Sequence, residues 1–150
     1  MWQKMKKGIY WALFLIVASI AGTIGKEIGS ELLKPNKQEN LAKIVTEAAS
    51  QLNAQAPKKL DDVTTLVRAE AVSGSKLVTF YSLKDFDSYA SNFSFSRLKS
   101  VISKQICDKQ KSKKPSALSM GMSHVYVYTR ENGTEISRFE ISSKDCLAVK

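Results

Sequence analysis

SHVYVYTRENGTEISRFEIS, residues 123–142, sets two alternating runs on either side of Asn132-Gly133. Alternation of apolar and polar side chains has the period of a half-buried strand, and an Asn-Gly step supplies the positive φ angles of a tight hairpin. The stretch reads as a hairpin with strands over 123–130 and 134–142. Upstream, KLVTFYSL at 76–83 is rich in β-branched and aromatic residues, and 63–72 alternates loosely. Ser73-Gly74-Ser75 between them makes a second hairpin. Helical spacing marks what precedes each pair. Leu41, Ile44, Val45, Ala48, Ala49 and Leu52 recur at i, i+3, i+4, i+7, i+8 and i+11 behind a capping-box pattern, Asn36 with Glu39, and the helix ends before Pro57. Leu98, Val101, Ile102, Gln105 and Ile106 mark a second helix ending at Cys107. KDFDSYASNFS at 84–94 reads as a loop or the ragged start of that helix, 108–115 as a lysine-rich connector and 117–122 as a short apolar turn. The expected fold is α+β: one α-β-β-α-β-β domain over 36–150, with a mainly antiparallel four-stranded sheet and helices on one face. About 115 residues suffice for one core and not for two.

The first 34 residues have a different character. Lys4, Lys6 and Lys7 precede IYWALFLIVASIAGTIG at 9–25, which carries no charge. A basic leader before an uncharged apolar run directs membrane insertion with the lysines cytoplasmic and the remainder exported. At about 1.5 Å per residue the run reaches roughly 26 Å, the short end of what spans a hydrocarbon core. Ile9, Trp11, Phe14, Ile16 and Ile20 are the expected anchor residues. Two readings follow. Ser19-Ile20-Ala21 offers small residues for cleavage after Ala21, whereas apolar residues continue at helical spacing through Ile24, Ile28, Leu32 and Leu33 until Pro35, which favours an uncleaved anchor and a juxtamembrane helix. Ala21, Gly25 and Gly29 fall four apart, with Ala18 and Gly22 on a neighbouring row, a face that would admit a second helix for self-association. No cysteine lies near the end of the apolar run, which argues against a lipoprotein.

Cys107 and Cys146 are the two cysteines of the chain. In an exported domain such a pair favours one disulfide, worth on the order of 3 to 4 kcal/mol in the chain-entropy account. Two unrelated buried thiols are the alternative.

Pro57 with Asp61 or Asp62 and Thr64, the Leu77, Thr79, Tyr81, Leu83 strand, Ile106-Cys107, Gly121, the Tyr126 and Tyr128 strand, Asn132-Gly133 and Asp145-Cys146 together form a pattern. From Pro57 to Cys146 the chain resembles a set of small bacterial envelope proteins of unknown function. The resemblance implies a bacterial source, the disulfide and the α+β domain, and it implies no activity.

The residues hold no recognisable catalytic set. His124, the lone histidine, starts a strand without an acid or thiol at ligand spacing, and reads as structural rather than as a metal ligand or base. Asp61-Asp62 reads as a solvated turn. Ser119-Met120-Gly121-Met122-Ser123 lacks the glycines that flank a nucleophile elbow. No metal site, phosphate loop or cofactor motif is present in the sequence, so a non-enzymatic role is expected. Charge is the remaining signal. The chain carries a net +9, three of it in the leader lysines, and Arg97, Lys99, Lys104, Lys109, Lys111, Lys113 and Lys114 crowd the second helix and its connector. Export argues against nucleic acid as the partner, leaving anionic headgroups, an acidic protein or simple solvation. The expected protein is a single-pass inner-membrane protein whose periplasmic domain binds another envelope component. A cleaved, secreted or periplasmic inhibitor or immunity-type protein is the alternative.

Overall fold

The computed structural model describes residues 37–111 and 116–148. The first helix, α1, runs Lys37–Gln55. It turns Leu41, Val45, Ala48, Ala49 and Leu52 into the core, the face its spacing predicts. The chain then passes the cis Ala56–Pro57 bond into β1, Lys58–Lys59, followed by β2, Thr64–Val72, and β3, Lys76–Leu83. Asp61 prepares β2, its Oδ1 accepting the Val63 and Thr64 N–H groups at 2.8 and 2.6 Å, so that acid ends a turn. Two single 3₁₀ turns, Phe86–Ser88 and Ala90–Asn92, lead into α2, Phe95–Lys111. The second hairpin consists of β4, Ser123–Arg130, and β5, Glu135–Ile141, and the last described element is the short helix α3, Ser143–Ala148.

The sheet corrects the sequence expectation in its strand number: it has five strands, in order β1-β2-β3-β4-β5, and it is mixed, with three of its four pairings antiparallel. The additional strand is β1, two exposed lysines paired with Leu66 and Thr65; so short an edge leaves no periodicity in the sequence. Hairpins β2–β3 and β4–β5 are antiparallel, but β3 and β4 run parallel from Lys76↔Ser123 to Leu83↔Arg130 because α2 carries the chain back across the sheet. At the β4–β5 turn Gly133 adopts φ +87°, donates to Arg130 O at 2.9 Å, and lets Arg130 N–H reach Thr134 O at 2.8 Å.

Both long helices lie on one face of the sheet. That face presents Leu77, Tyr81 and Leu83 from β3 and Tyr126 and Tyr128 from β4, which join Leu98, Ile102 and Ile106 of α2 in one core. The rings stack across the strands: Tyr81 on Tyr128 at 5.3 Å and Tyr126 on Phe139 at 5.1 Å. Among the described residues no helix is long and apolar enough to cross a membrane. The expected anchor, Ile9, Trp11, Phe14, Ile16 and Ile20, and the small-residue row Ala21, Gly25 and Gly29 lie outside the described residues.

Candidate interaction surface

Helix α2 is amphipathic and fixed at both ends. Ser94 opens it, its Oγ accepting the Arg97 N–H at 3.2 Å, and Leu98, Ile102, Ile106 and Cys107 are buried. Near its far end Cys107 is joined to Cys146 of α3, with Cα atoms 5.3 Å apart, so the expected disulfide forms and rivets the two helices. Asp145 completes the junction. Its Oδ2 accepts the Ser142 N–H at 2.8 Å, capping α3, and its Oδ1 pairs with Lys99 Nζ at 3.3 Å. Burial pushes the Asp145 carboxyl up, but the Ser142 N–H and the Lys99 ammonium outweigh it and hold the group below its ordinary value.

Of the seven basic residues singled out from sequence, five lie among the described residues, and these five do not all share one exposed face. Arg97, Lys104 and Lys111 are exposed and stand seven apart, so they line one outward ridge two helical turns at a time. Lys99 is half-buried and turned to Asp145, and Lys109 is half-buried. Lys111 meets Asp108 at 3.5 Å, the helix's one acid tempering its own ridge. Lys113 and Lys114 lie outside the described residues.

His124 is structural in its setting. It is buried, stacked on Tyr126 with ring centres 4.1 Å apart, and its Nε2 lies 3.1 Å from Thr79 Oγ1. Burial pushes its pKa down to about 3, so the imidazole is neutral at physiological pH. Among the described residues no three His, Cys, Asp or Glu side chains converge to hold a metal.

Sequence reasoning missed the feature at the opposite end of β4. A shallow depression of about 390 Å³ is lined by Leu83, Asp85, Phe86, Asp87, Arg130 and Asn132 among others. Arg130 forks onto Asp87, Nη2 to Oδ1 at 2.8 Å and Nε to both oxygens at 3.2 Å, and holds that exposed carboxyl below its ordinary value. The partners are separated by 43 residues, so no local spacing could announce them. The depression offers charge and shape but no nucleophile paired with a base.

No protein-family model and no curated protein matches the chain by sequence. Solved structures do match its fold. A candidate secreted protein from Pseudomonas aeruginosa superposes with a TM-score of 0.60 at 15% identity, covering 75% of this chain and 98% of that one. The type II secretion system pilotin AspS from Vibrio cholerae matches at 0.56 and 19% identity, covering 73% and 95%. The pilotin EpsS from the Vibrio vulnificus type 2 secretion system matches at 0.57 and 16%, covering 73% and 94%. At these identities the likeness establishes the fold alone: this α+β domain shares its fold with a candidate secreted protein and with two type II secretion pilotins.

Proposed function

We propose that the chain is a non-catalytic envelope protein, held in the bacterial inner membrane by residues 9–25, whose periplasmic domain over 36–150 binds another envelope component through the outward ridge of α2. The observation that carries this reading is the line of Arg97, Lys104 and Lys111 on a helix clamped by the Cys107–Cys146 bridge. A rigid row of cations on a surface with no catalytic grouping suits recognition of an acidic partner better than chemistry. The shared fold supports it, since two of the solved structures that have it are pilotins of type II secretion systems. Near an anionic surface each charge contributes about 1 kcal/mol, falling off within a Debye length of about 8 Å.

The test replaces Arg97, Lys104 and Lys111 with Glu in the full chain. Thermal stability should be nearly unchanged, because exposed charges contribute little to folding. Capture of the partner from detergent-solubilised membranes should fall at least tenfold. Equal capture by both chains overturns the reading. Retention on anionic liposomes in place of a captured protein would identify headgroups as the target.

Cleavage after Ala21 gives a second reading, a secreted or periplasmic inhibitor or immunity-type protein, supported by the fold shared with the Pseudomonas protein. The mature N-terminus separates the two. An intact Met1 in membrane fractions supports the first, and a chain starting at Gly22 in the soluble fraction the second.

A further inference from the structure

The two edges of the sheet are finished differently. At one, β1 is two exposed lysines, and past them the Asn53 carboxamide takes the Ala69 N–H and C=O of β2. At the other, β5 runs over Glu135–Ile141 with no lysine and no proline. An edge strand presents backbone N–H and C=O groups to any strand laid beside it, and shortness, lysine or proline are the usual means of blunting it. Strand β5 has none of these. Among the described residues β4 is the one strand paired with it, and α3, which follows it, is drawn onto α2 by the Cys107–Cys146 bridge and the Lys99–Asp145 pair.

The two faces of β5 differ in kind. Ser137, Phe139 and Ile141 stand opposite Tyr128, Tyr126 and His124 and share the helix side, whereas Arg138 and Glu140 stand opposite Val127 and Val125 on the far side. Phe139 stacks on Tyr126 and Tyr128, with ring centres 5.1 and 5.9 Å apart, yet is only half-buried, the last ring of a row that stops at the edge.

We propose that β5 is a self-pairing edge: two copies of the chain join antiparallel about a two-fold axis at Phe139, and their sheets become one. Directly opposed residues of an antiparallel pair share a face, so the charges select the register. Centring the axis on Arg138 or on Glu140 would set like charges against each other. Centring it on Phe139 sets Arg138 opposite Glu140 of the second copy, twice over, and brings the two Phe139 rings together on the helix side, carrying the aromatic row across the interface. Within one copy these charged side chains pair with Glu135 at 2.9 Å and Lys76 at 3.0 Å and remain exposed, so both are presented to an incoming strand. Arg97, Lys104 and Lys111 lie on another element, so this inference stands whether or not their ridge binds a partner.

The test weighs the full chain in detergent micelles by sedimentation. The parent should be a dimer at about 100 µM. Arg138→Glu sets acid against Glu140 of the second copy, and Glu140→Arg sets base against Arg138, so each variant alone should dissociate at least tenfold more readily. Mixing the two variants restores opposite charges at both places and should restore the dimer. In the parent, amide exchange over Glu135–Ile141 should slow as the chain is raised from about 5 to 500 µM, while Lys58 and Lys59 at the other edge stay unchanged. This second measurement needs no variant to fold. A parent that stays monomeric overturns the inference and leaves the edge to a strand of another protein. So does a dimer that survives either substitution, a mixture that stays monomeric, or β5 exchange that ignores concentration.

Discussion

The carboxamide of Asn53, near the end of α1, pairs with the backbone of Ala69 in β2 as a neighbouring strand would. Its Nδ2 donates to Ala69 O and its Oδ1 accepts the Ala69 N–H, both at 2.8 Å. Strand β1 reaches only Leu66 and Thr65, so beyond it a helix side chain finishes the edge of β2. One donor and one acceptor are satisfied in a geometry that only Asn offers at this length.

Asn53→Leu should therefore cost about 1 to 3 kcal/mol, the desolvation and lost bonding of two backbone groups. Asn53→Asp should lie between, retaining the acceptor and losing the donor. Urea denaturation of the three chains checks the order. A leucine variant as stable as the parent would show that water replaces the amide without cost.

His124 and Thr79 predict a pH dependence. Neutral imidazole suits the buried site, and burial sets the folded pKa at about 3 against an ordinary 6.5. Between those values the unfolded chain binds one proton more than the folded one, so stability rises with pH across the window and falls as pH drops below about 6.5. The slope is about 1.4 kcal/mol per pH unit. The carboxyls of Asp87, Glu135, Glu140 and Asp145 are held below their ordinary values, and their contributions are lost only at lower pH. The interval from pH 6 to 5 thus isolates the single histidine. His124→Asn should flatten the stability profile there, and an unchanged slope would refute the assignment.

Tyrosine hydroxyls separate burial from bonding. Tyr126 and Tyr128 are fully buried with hydroxyls that have no hydrogen-bond partner among the described residues, and burial raises both pKa values. Tyr89 OH, in contrast, donates to Lys84 O at 3.1 Å. Tyr128→Phe should leave stability level or slightly improved, since the stacked ring survives and an unsatisfied group is removed, whereas Tyr89→Phe should cost about 1 kcal/mol. Thermal melts decide, and the reverse order would mean that the buried hydroxyls are bonded in solution.

The sequence announces elements whose signal is local. The Asn132-Gly133 turn and the apolar spacings of Leu41 to Leu52 and Leu98 to Ile106 correspond to the second hairpin and the two long helices, because period and turn chemistry are written within a few residues. Strand β1 is illegible: Lys58 and Lys59 pair through their backbone alone, and nothing in two exposed lysines speaks of a sheet. The parallel β3–β4 pairing is equally hidden, since it depends on where α2 returns the chain. In the candidate surface, spacing by seven places Arg97, Lys104 and Lys111 on one line, but the diversion of Lys99 to Asp145 is a contact 46 residues long that charge counting cannot find.

The junction of α2 with α3 sets two interactions of unequal strength side by side. The Cys107–Cys146 bridge spans a separation of 39 residues, and removing such a cross-link costs about 2 to 4 kcal/mol by loosening the constraint on the unfolded chain. The Lys99–Asp145 pair is partly exposed, its side chains keeping 39% and 27% of their surface, and pairs of that kind contribute about 1 kcal/mol or less. Replacing both cysteines with serine should lower the denaturation midpoint far more than Lys99→Ala does. Reductant should shift the parent toward the serine variant and leave that variant unmoved. The same substitution should release α3, which is only six residues long and otherwise held by the Asp145 cap and the weak Lys99 pair, so amide exchange over Ser143–Ala148 should accelerate while the β3–β4 ladder stays protected. If Lys99→Ala destabilises as much as loss of the bridge, the ion pair rather than the disulfide fastens α3.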